Sequence, residues 1–241
     1  MNLGTTALRT ALRGVVCTAA IGAAVVAGTG VSAAQSQTGW VGPTAPIDGV
    51  IYLHSSTISD TPQLAASTAI YPSFGQSVPE FRMGVQSRLF KSGVLCQITP
   101  WQYNVMSTSR LENATSGHCG SGSYNSHGFV QAGNGVTWSN YVTFPTNPID
   151  FVAPAAPSAR TAQSTPAPEE LASGTNADGQ TFGSAVDANS PEESPDLIAS
   201  YGTNGAFGYI RSDEVSTVDA SASIPLYAND GRTVVGSFDV R

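Results

Sequence analysis

The chain has 241 residues, of which 41% are hydrophobic and only 11% are charged, and its formal net charge is −7. Acidic proteins of this kind lack the basic patch that binds a phosphate backbone, which argues against a nucleic-acid partner. The apolar fraction is enough for one or two small cores, and no apolar run is long enough to span a membrane, so a wholly disordered chain and an integral membrane protein are also disfavoured.

Residues 1–34 have the layout of an export signal. Arg9 and Arg13 form a basic start, a stretch of almost entirely apolar or small residues follows, and small residues surround Ala33. We expect cleavage after Ala33 or Ala34 and a protein secreted to the cell envelope or beyond it, the alternative being a buried N-terminal helix. Cleavage would leave eight basic and 17 acidic residues, a formal net charge of −9.

The rest of the chain predicts an all-β fold made of two small antiparallel modules, each barrel-like or sandwich-like. A segment rich in Pro, Ala and Ser, residues 152–168, cannot bury a core and is typical of an extended linker. We therefore expect an N-terminal β module over residues 35–151 and a C-terminal β module over residues 169–241. The C-terminal part is strongly acidic, whereas the N-terminal module is nearly neutral.

Two hairpins are predicted in the first module. Each has two apolar runs joined by a short connection that contains glycine. The first hairpin joins residues 87–90 to 94–98, and the second joins 129–132 to 136–144. We assign little structure to residues 55–80 and a loop to residues 112–127, because these stretches are polar and weakly periodic.

The last run of the second hairpin alternates in hydrophobicity. This pattern places Val136, Trp138, Val142 and Phe144 on the buried face of the strand. The opposite face, which includes Tyr141, is then expected to meet water.

Two cysteines remain after removal of the signal, which contains Cys17. In an exported protein, an even pair predicts one disulfide between Cys96 and Cys119. The alternative is a metal site that combines these cysteines with His118 and His127. Adjacent ligands such as His118 and Cys119 are poorly spaced for one metal, so we predict no metal and no cofactor.

The second module contains three related turns. Asp178-Gly179, Asn204-Gly205 and Asp230-Gly231 are dipeptides that suit type I′ hairpin turns. Two hairpins follow from their positions, one joining residues 197–203 to 206–211 and the other joining 224–228 to 233–240.

Part of the first module resembles a known enzyme family. Thr115-Ser-Gly-His-Cys119 looks like the catalytic-His segment of trypsin-like secreted serine proteases of actinobacteria, and residues 144–153 resemble the catalytic-Asp segment. The likeness covers residues 87–153, the first half of that fold, and implies His118 as the base and Asp150 as its orienting carboxylate. The family's nucleophile motif, Gly-Asp-Ser-Gly-Gly, does not follow, so no nucleophile is implied.

The second module carries a different resemblance. Residues 205–215 and 224–238 look like a C-terminal module of exported Gram-positive proteins of unknown function. A weaker likeness to bacterial SH3-like repeats rests on Gly205, Gly208, Tyr209 and Ile210. Neither resemblance implies a catalytic residue.

Seven aromatic residues are candidates for ligand contact, since exposed rings on a β surface can stack on sugars or anchor protein partners. They are Trp40, Tyr52, Tyr71, Tyr103, Tyr124, Trp138 and Tyr141. We single out Trp138, Tyr141 and Tyr124 as candidate binding residues. The alternative for all of them is core packing.

The second module contains two groups of neighbouring acidic residues that could have a chemical role. Glu192-Glu193 with Asp196, and Asp213-Glu214, suit acid–base chemistry or weak calcium binding, but carboxylates this dense more often form a solvated acidic face.

Together these features predict a secreted, non-catalytic binding protein whose partner is a cell-wall or extracellular protein or glycan. The alternative is an exported serine hydrolase that uses His118 and Asp150 with an unidentified nucleophile.

Overall fold

The computed structural model describes residues 34–154, 171–218 and 220–241, and these residues are nearly all β. The strands before the predicted linker are β1 (Ser36–Thr38), β2 (Gly42–Pro43), β3 (Tyr52–Ser59), β4 (Ala65–Pro72), β5 (Met83–Gln86), β6 (Arg88–Lys91), β7 (Val94–Ile98), β8 (Gln102–Tyr103), β9 (Leu111–Ala114), β10 (Gly122–Ser126), β11 (Phe129–Gly133), β12 (Trp138–Val142) and β13 (Ile149–Phe151). Those after it are β14 (Gly174–Thr175), β15 (Thr181–Gly183), β16 (Leu197–Tyr201), β17 (Phe207–Arg211), β18 (Ala222–Tyr227) and β19 (Val234–Val240). A 3-10 helix, Pro191–Glu193, and a short helix α1, Ser212–Ser216, complete the secondary structure of this part of the chain.

A sandwich of two sheets forms the first part of the fold. One sheet has the order β1-β3-β4-β9, with β2 also paired to β3, and the other has the order β12-β11-β5-β8. The side chains packed between them are Tyr52, Ile70, Val78, Met83, Val85, Leu111, Val130 and Ala132. This core covers one face of the second sheet.

Strands of the second sheet continue into a third sheet. The chain passes from β5 to β6 at Ser87 and from β10 to β11 at residues 127–128. Each of these continuous segments therefore contributes one strand to the second sheet and one strand to the third. The third sheet includes β13, β10, β6 and β7. These strands pack against the halves of β3 and β4 that contain Ile58 and Ala66. A second core fills the space between them, formed by Ile58, Leu64, Ala66, Leu89, Cys96, Tyr124 and Ile149.

The C-terminal strands form a small barrel that needs a strand from the first part of the chain. β16 to β19 form an antiparallel meander. β7 bridges its two ends in parallel, through Leu95 opposite Ser200 of β16 and Ile98 opposite Val240 of β19. The core inside contains side chains from both parts of the chain: Phe90, Leu95, Ile98, Ala185, Ile198, Ile210, Val215, Ile224, Leu226, Phe238 and Val240.

A buried arginine also joins the two parts. Arg88 is 2% exposed; its Nε donates to the carbonyl of His127 at 2.7 Å, and its Nη1 donates to the carbonyl of Ala185 at 3.1 Å. The guanidinium carbon lies 3.7 Å from the centre of the Phe129 ring. Burial lowers the pKa of Arg88 to about 9. Residues on either side of the predicted linker therefore share one sheet, one core and one buried cation.

The predicted hairpins are confirmed. β6 pairs with β7, β11 with β12, β16 with β17 and β18 with β19. The glycines of the three predicted turns have positive φ, with Gly231 at 67°, but Asp178, Asn204 and Asp230 do not, so these are not type I′ turns. Asp230 instead accepts backbone N–H bonds from Arg232 and Thr233 through Oδ1, a local side-chain turn.

Residues 55–80 are more ordered than we predicted. They contain most of the β3–β4 hairpin, whose eight residue pairs run from Tyr52 opposite Pro72 to Ser59 opposite Ala65. The buried hydroxyls of Ser56 and Thr143 hydrogen bond to each other, and both accept the N–H of Gly128. Because buried polar groups are stable when paired, polar strands can lie inside a fold. The expected loop at residues 112–127 likewise contains β10 and most of β9.

The faces of β12 are the reverse of our prediction. Val136 is 90% exposed, whereas Thr143 is fully buried and Tyr141 packs against the sandwich core. The hydroxyl pairing of Thr143 makes its burial possible, and aromatic contacts hold Trp138 on the outside.

Among the described residues, no helix is long and apolar enough to cross a membrane.

Candidate functional site

The sheet β12-β11-β5-β8 buries one face in the sandwich core, and part of its other face is exposed. Side chains alternate between the two faces of a strand. In β5, Met83 and Val85 therefore point into the core, while Gly84 between them lies on the outer face. In β11, the same alternation places Gln131 on the outer face. This face carries the candidate site.

Three aromatic rings lie side by side on the outer face. The ring centres of Trp101 and Tyr103 are 6.2 Å apart with an interplanar angle of 17°. The ring centres of Tyr103 and Trp138 are 5.0 Å apart, and these rings are tilted by 51°. Trp138 is 39% exposed. We call these three residues the aromatic face.

Glycines beneath two of the rings explain how close they lie to the sheet. A Cβ at Gly84 would be 2.8 Å from Cε1 of Tyr103, and a Cβ at Gly133 would be 2.8 Å from Cε3 of Trp138. The register places Gly84 opposite Tyr103 and Gly133 opposite Trp138. Because no side chain stands below them, both rings lie against the backbone and can turn their other surface outward.

A row of hydrogen bonds runs across the strands beside the rings. The Tyr103 hydroxyl donates to Oε1 of Gln131 at 2.9 Å, and Nε2 of Gln131 donates to Oδ1 of Asn140 at 2.8 Å. Nδ2 of Asn140 donates to Oε1 of Glu192 at 3.1 Å. The first three residues lie on β8, β11 and β12, and the row crosses β5 at Gly84, a width of roughly 14 Å at strand spacing. We call these four residues the polar row.

The polar row retains hydrogen-bonding capacity for a ligand. Each amide of Gln131 and Asn140 has a second N–H and further acceptor capacity, and a carboxylate such as Glu192 accepts several bonds. Since each side chain is already held by its neighbour, little conformational entropy is lost on binding. The arrangement thus offers fixed donors and acceptors beside fixed rings.

The three predicted binding residues have different environments. Trp138 belongs to the aromatic face. Tyr141 lies on the opposite face of β12, half-buried, with its ring centre 6.1 Å from that of His54. Tyr124 is fully buried, donates its hydroxyl to the carbonyl of Gly120 at 2.6 Å, and has its pKa raised by burial to about 12. Its ring is thus part of the core rather than of a surface.

His118 and Asp150 lie near each other in the fold but not in contact. The His118 ring is exposed and packs against Phe151 at 5.1 Å. Asp150 precedes Phe151 in β13, so its side chain points to the other face of the strand. Within the described ranges, no hydrogen bond or ion pair joins His118 to Asp150, and Nδ1 of His118 accepts the N–H of Gly120 at 3.1 Å.

Two serine residues of the segment that follows His118 have contacts elsewhere. Ser121 accepts the N–H of Ala153 through its Oγ at 3.0 Å, and Ser123 lies opposite Asp150 in the β10–β13 pair. This geometry therefore assembles no hydrogen-bonded Ser–His–Asp triad among the described residues.

The predicted disulfide between Cys96 and Cys119 is present, with 5.8 Å between the Cα atoms. Both sulfur atoms are therefore unavailable to the metal site considered as an alternative. In the part of the chain that the structure describes, no three His, Cys, Asp or Glu side chains come together as a metal site requires.

The acidic residues of the second module have separate partners. Glu192 accepts from Asn140, and Glu193 accepts from Asn189. Asp196 accepts the N–H and the hydroxyl of Thr181, and these bonds lower the pKa of its carboxyl group. Glu214 accepts the hydroxyl of Tyr227.

Most of the candidate site was not found from the sequence. Tyr103 was one of seven aromatic candidates, but Trp101, Gln131 and Asn140 were not selected, and Glu192 was considered only as an acid or calcium ligand. The alternation Trp101-Gln-Tyr103 was the available signal, since it places two rings on one face of a strand. The pairing of β8 with β5, which brings these rings to Trp138, is a long-range contact that no local pattern contains.

No family model, no curated protein and no solved structure matches this chain.

Proposed function

We propose that this protein is an exported, non-catalytic binding protein that recognises an extracellular glycan through the aromatic face and the polar row. The supporting observation is the position of the Tyr103 and Trp138 rings, which lie close against glycines and next to a row of hydrogen-bonded amides and a carboxylate. A sugar ring has an apolar C–H surface and a polar rim of hydroxyls. Rings and hydrogen-bonding groups side by side match both features.

The charge of the site favours a neutral glycan. Glu192 is the charged member of the polar row, and a carboxylate accepts hydroxyl donors but repels anionic groups. Arg82, whose guanidinium lies near Gly135 after β11, is paired through Nη1 with Asp48 at 2.7 Å. A polysaccharide rich in carboxylates, sulfates or phosphates would therefore meet repulsion that is not balanced by a free cation.

The hydrolase alternative is supported by the sequence resemblance and by the order of His118 and Asp150. The placement of these two side chains on different faces of β13 favours the binding role instead. A serine-reactive phosphonate tests the alternative directly: covalent labelling of the secreted protein, lost in His118→Ala, would favour a hydrolase.

Binding to insoluble neutral polysaccharides tests the proposal. We expect the protein to be retained on at least one of cellulose, chitin and mannan, and Trp138→Ala and Tyr103→Ala each to weaken retention about tenfold, the equivalent of 1.4 kcal/mol. Trp40→Ala is the matched control, because Trp40 is 83% exposed and lies outside the aromatic face.

Two results would contradict the proposal. One is the absence of binding to all three polysaccharides, and the other is an equal loss of binding in Trp40→Ala and Trp138→Ala.

A further inference from the structure

The outer edge of β12 has backbone groups without a partner strand. β12 is the terminal strand of its sheet and pairs only with β11 among the described residues. The N–H of Thr143 donates to Gly128 at 2.9 Å and the N–H of Asn134 donates to Thr137 at 3.2 Å. Because antiparallel hydrogen bonds alternate along a strand, the peptide groups of residues 138, 140 and 142 point away from β11.

A groove runs along this edge. Its first part has a volume of about 330 Å³ and includes His54, Asn140 and Tyr141 in its lining. Its second part, of about 550 Å³, includes His127 and Asp187. Both parts have Val142, Phe144 and Asn189 in their linings and so lie side by side along this edge; together we call them the β12 groove.

A buried polar atom in the wall of the groove lacks a partner. His54 is 3% exposed, and its Nδ1 forms no hydrogen bond with any described residue. The imidazole ring lies against Gly42, where a Cβ would be 2.5 Å from Cε1. The buried ring therefore forms a fixed part of the groove wall.

The chemistry of the groove selects one kind of occupant. Outward peptide groups at every second residue match the spacing of an extended polypeptide, which pairs with a strand edge through its own backbone. No proline and no charged side chain occurs within β12, so two of the usual devices that protect an edge strand are absent from it.

The charge of the groove indicates which side chains a bound polypeptide would carry. Asp187 lines the groove and Glu192 lies at Asn140, whereas no lysine or arginine is among the described residues that line it. Phe144 is 49% exposed and offers an apolar contact.

We propose that the β12 groove binds an extended segment of a partner protein, with basic and apolar rather than acidic side chains, by adding it as a strand to β12. This site adjoins the proposed glycan site, with which it shares Asn140 and Glu192, but it uses the backbone edge of the sheet rather than the aromatic face.

Selection from a phage-displayed library of random linear dodecapeptides against the full secreted protein tests the proposal. We expect enriched peptides to contain lysine or arginine and to lack acidic residues. Val142→Pro removes one outward N–H without touching the bonds to β11 and should weaken binding of the selected peptides at least tenfold. Val142→Thr keeps both the N–H and the side-chain size and should bind within threefold of wild type.

A change in the peptide tests the same contact without altering the protein. Alternate backbone amides of a bound peptide face β12, and the others face away from it. N-methylation of the first set in a selected peptide should abolish binding, and N-methylation of the second set should leave it unchanged. Retention on neutral polysaccharide should be the same in Val142→Pro as in wild type, so a failure here is distinguishable from a failure of the glycan proposal.

Several outcomes would overturn the proposal. The first is that no peptide is enriched relative to selection against the Val142→Pro protein. The second is that the enriched peptides are acidic, and the third is that N-methylation of neither set of alternate amides affects binding. Concentration-dependent dimerisation that Val142→Pro abolishes would assign the edge to a second copy of this chain instead.

Discussion

Gly231 occupies a position that no side chain can enter without strain. Its φ is 67°, and a Cβ there would be 2.3 Å from Oε1 of Gln180 and 3.3 Å from Cδ1 of Leu197. Its carbonyl also accepts Nη2 of Arg211 at 2.6 Å. We expect Gly231→Val to lower the free energy of unfolding by roughly 1–3 kcal/mol, measured by denaturant titration of the full chain.

The neighbouring aspartate provides the matched control for this change. Asp230 accepts the N–H groups of Arg232 and Thr233 at 2.9 Å through Oδ1, an atom that asparagine also has. Oδ2 also accepts the hydroxyl of Thr233 at 2.6 Å, a bond that the amide nitrogen of asparagine cannot accept, so Asp230→Asn should lower the free energy of unfolding, but by less than Gly231→Val. A larger loss in Asp230→Asn than in Gly231→Val would show that the carboxylate charge, and not the backbone conformation, is the important feature of this turn.

Two buried histidines make the stability of the fold depend on pH. Burial lowers the pKa of His54 to about 4, and burial with the nearby Arg88 lowers that of His127 to about 4 against the opposing effect of Asp187 and two backbone carbonyls. Between pH 6.5 and 4 the unfolded chain binds protons that the folded chain does not. Stability is therefore fully present above about pH 6.5 and falls with pH below it, by at most ~3 kcal/mol for each histidine at pH 4.

Replacement of one buried histidine by an aromatic residue that does not titrate isolates this effect. We expect His54→Phe to be less sensitive to acid than wild type when the free energy of unfolding is compared at pH 7 and pH 4.5. His118→Asn, at an exposed histidine, is the control for removing a histidine as such. An unchanged pH dependence in His54→Phe would mean that His54 is not held neutral by the fold.

At the scale of single elements, local pattern was a good guide where a glycine turn separates two apolar runs. The β6–β7 hairpin was predicted from Lys91-Ser-Gly93, and Ser92 and Gly93 have positive φ values of 50° and 81°. Pattern failed where burial depends on polar pairing. Ser56 and Thr143 have hydroxyls that bond to each other inside the protein, and no rule based on hydrophobicity places them there.

The outer face of β12 shows a second limit of local reasoning. Trp138 has the hydrophobicity of a core residue, and alternation alone therefore assigns its face to the core. The contact with Tyr103 and the flat surface of Gly133 place it outside, and both depend on how β12, β11, β5 and β8 are ordered in the sheet. The candidate site was therefore predictable as a set of aromatic residues but not as a surface.

At the scale of the whole molecule, the segment at residues 152–168 marks a change in composition, while the parts on either side share a barrel. β7 pairs with both β16 and β19 and so closes the barrel, and part of the barrel core consists of Phe90, Leu95 and Ile98. The division into two modules remains a prediction about the sequence, and most of that segment, residues 155–168, lies outside the described residues. Because apolar burial is the main stabilising contribution, neither part is expected to be fully stable without the other.

Limited proteolysis tests how far the two parts depend on each other. A segment of Pro, Ala and Ser offers little hydrogen bonding to protect its backbone, so we expect the first cut between Val152 and Glu169. The two fragments should elute together in size-exclusion chromatography and separate only in denaturant, since the disulfide lies entirely within the first fragment and the association rests on β7. Leu95→Ala, which removes a side chain that is 1% exposed, should weaken the nicked complex by about 2–5 kcal/mol and allow separation at a lower denaturant concentration. Fragments that separate in plain buffer and each keep a cooperative thermal transition would show two independent modules, and the shared barrel would then contribute little to stability.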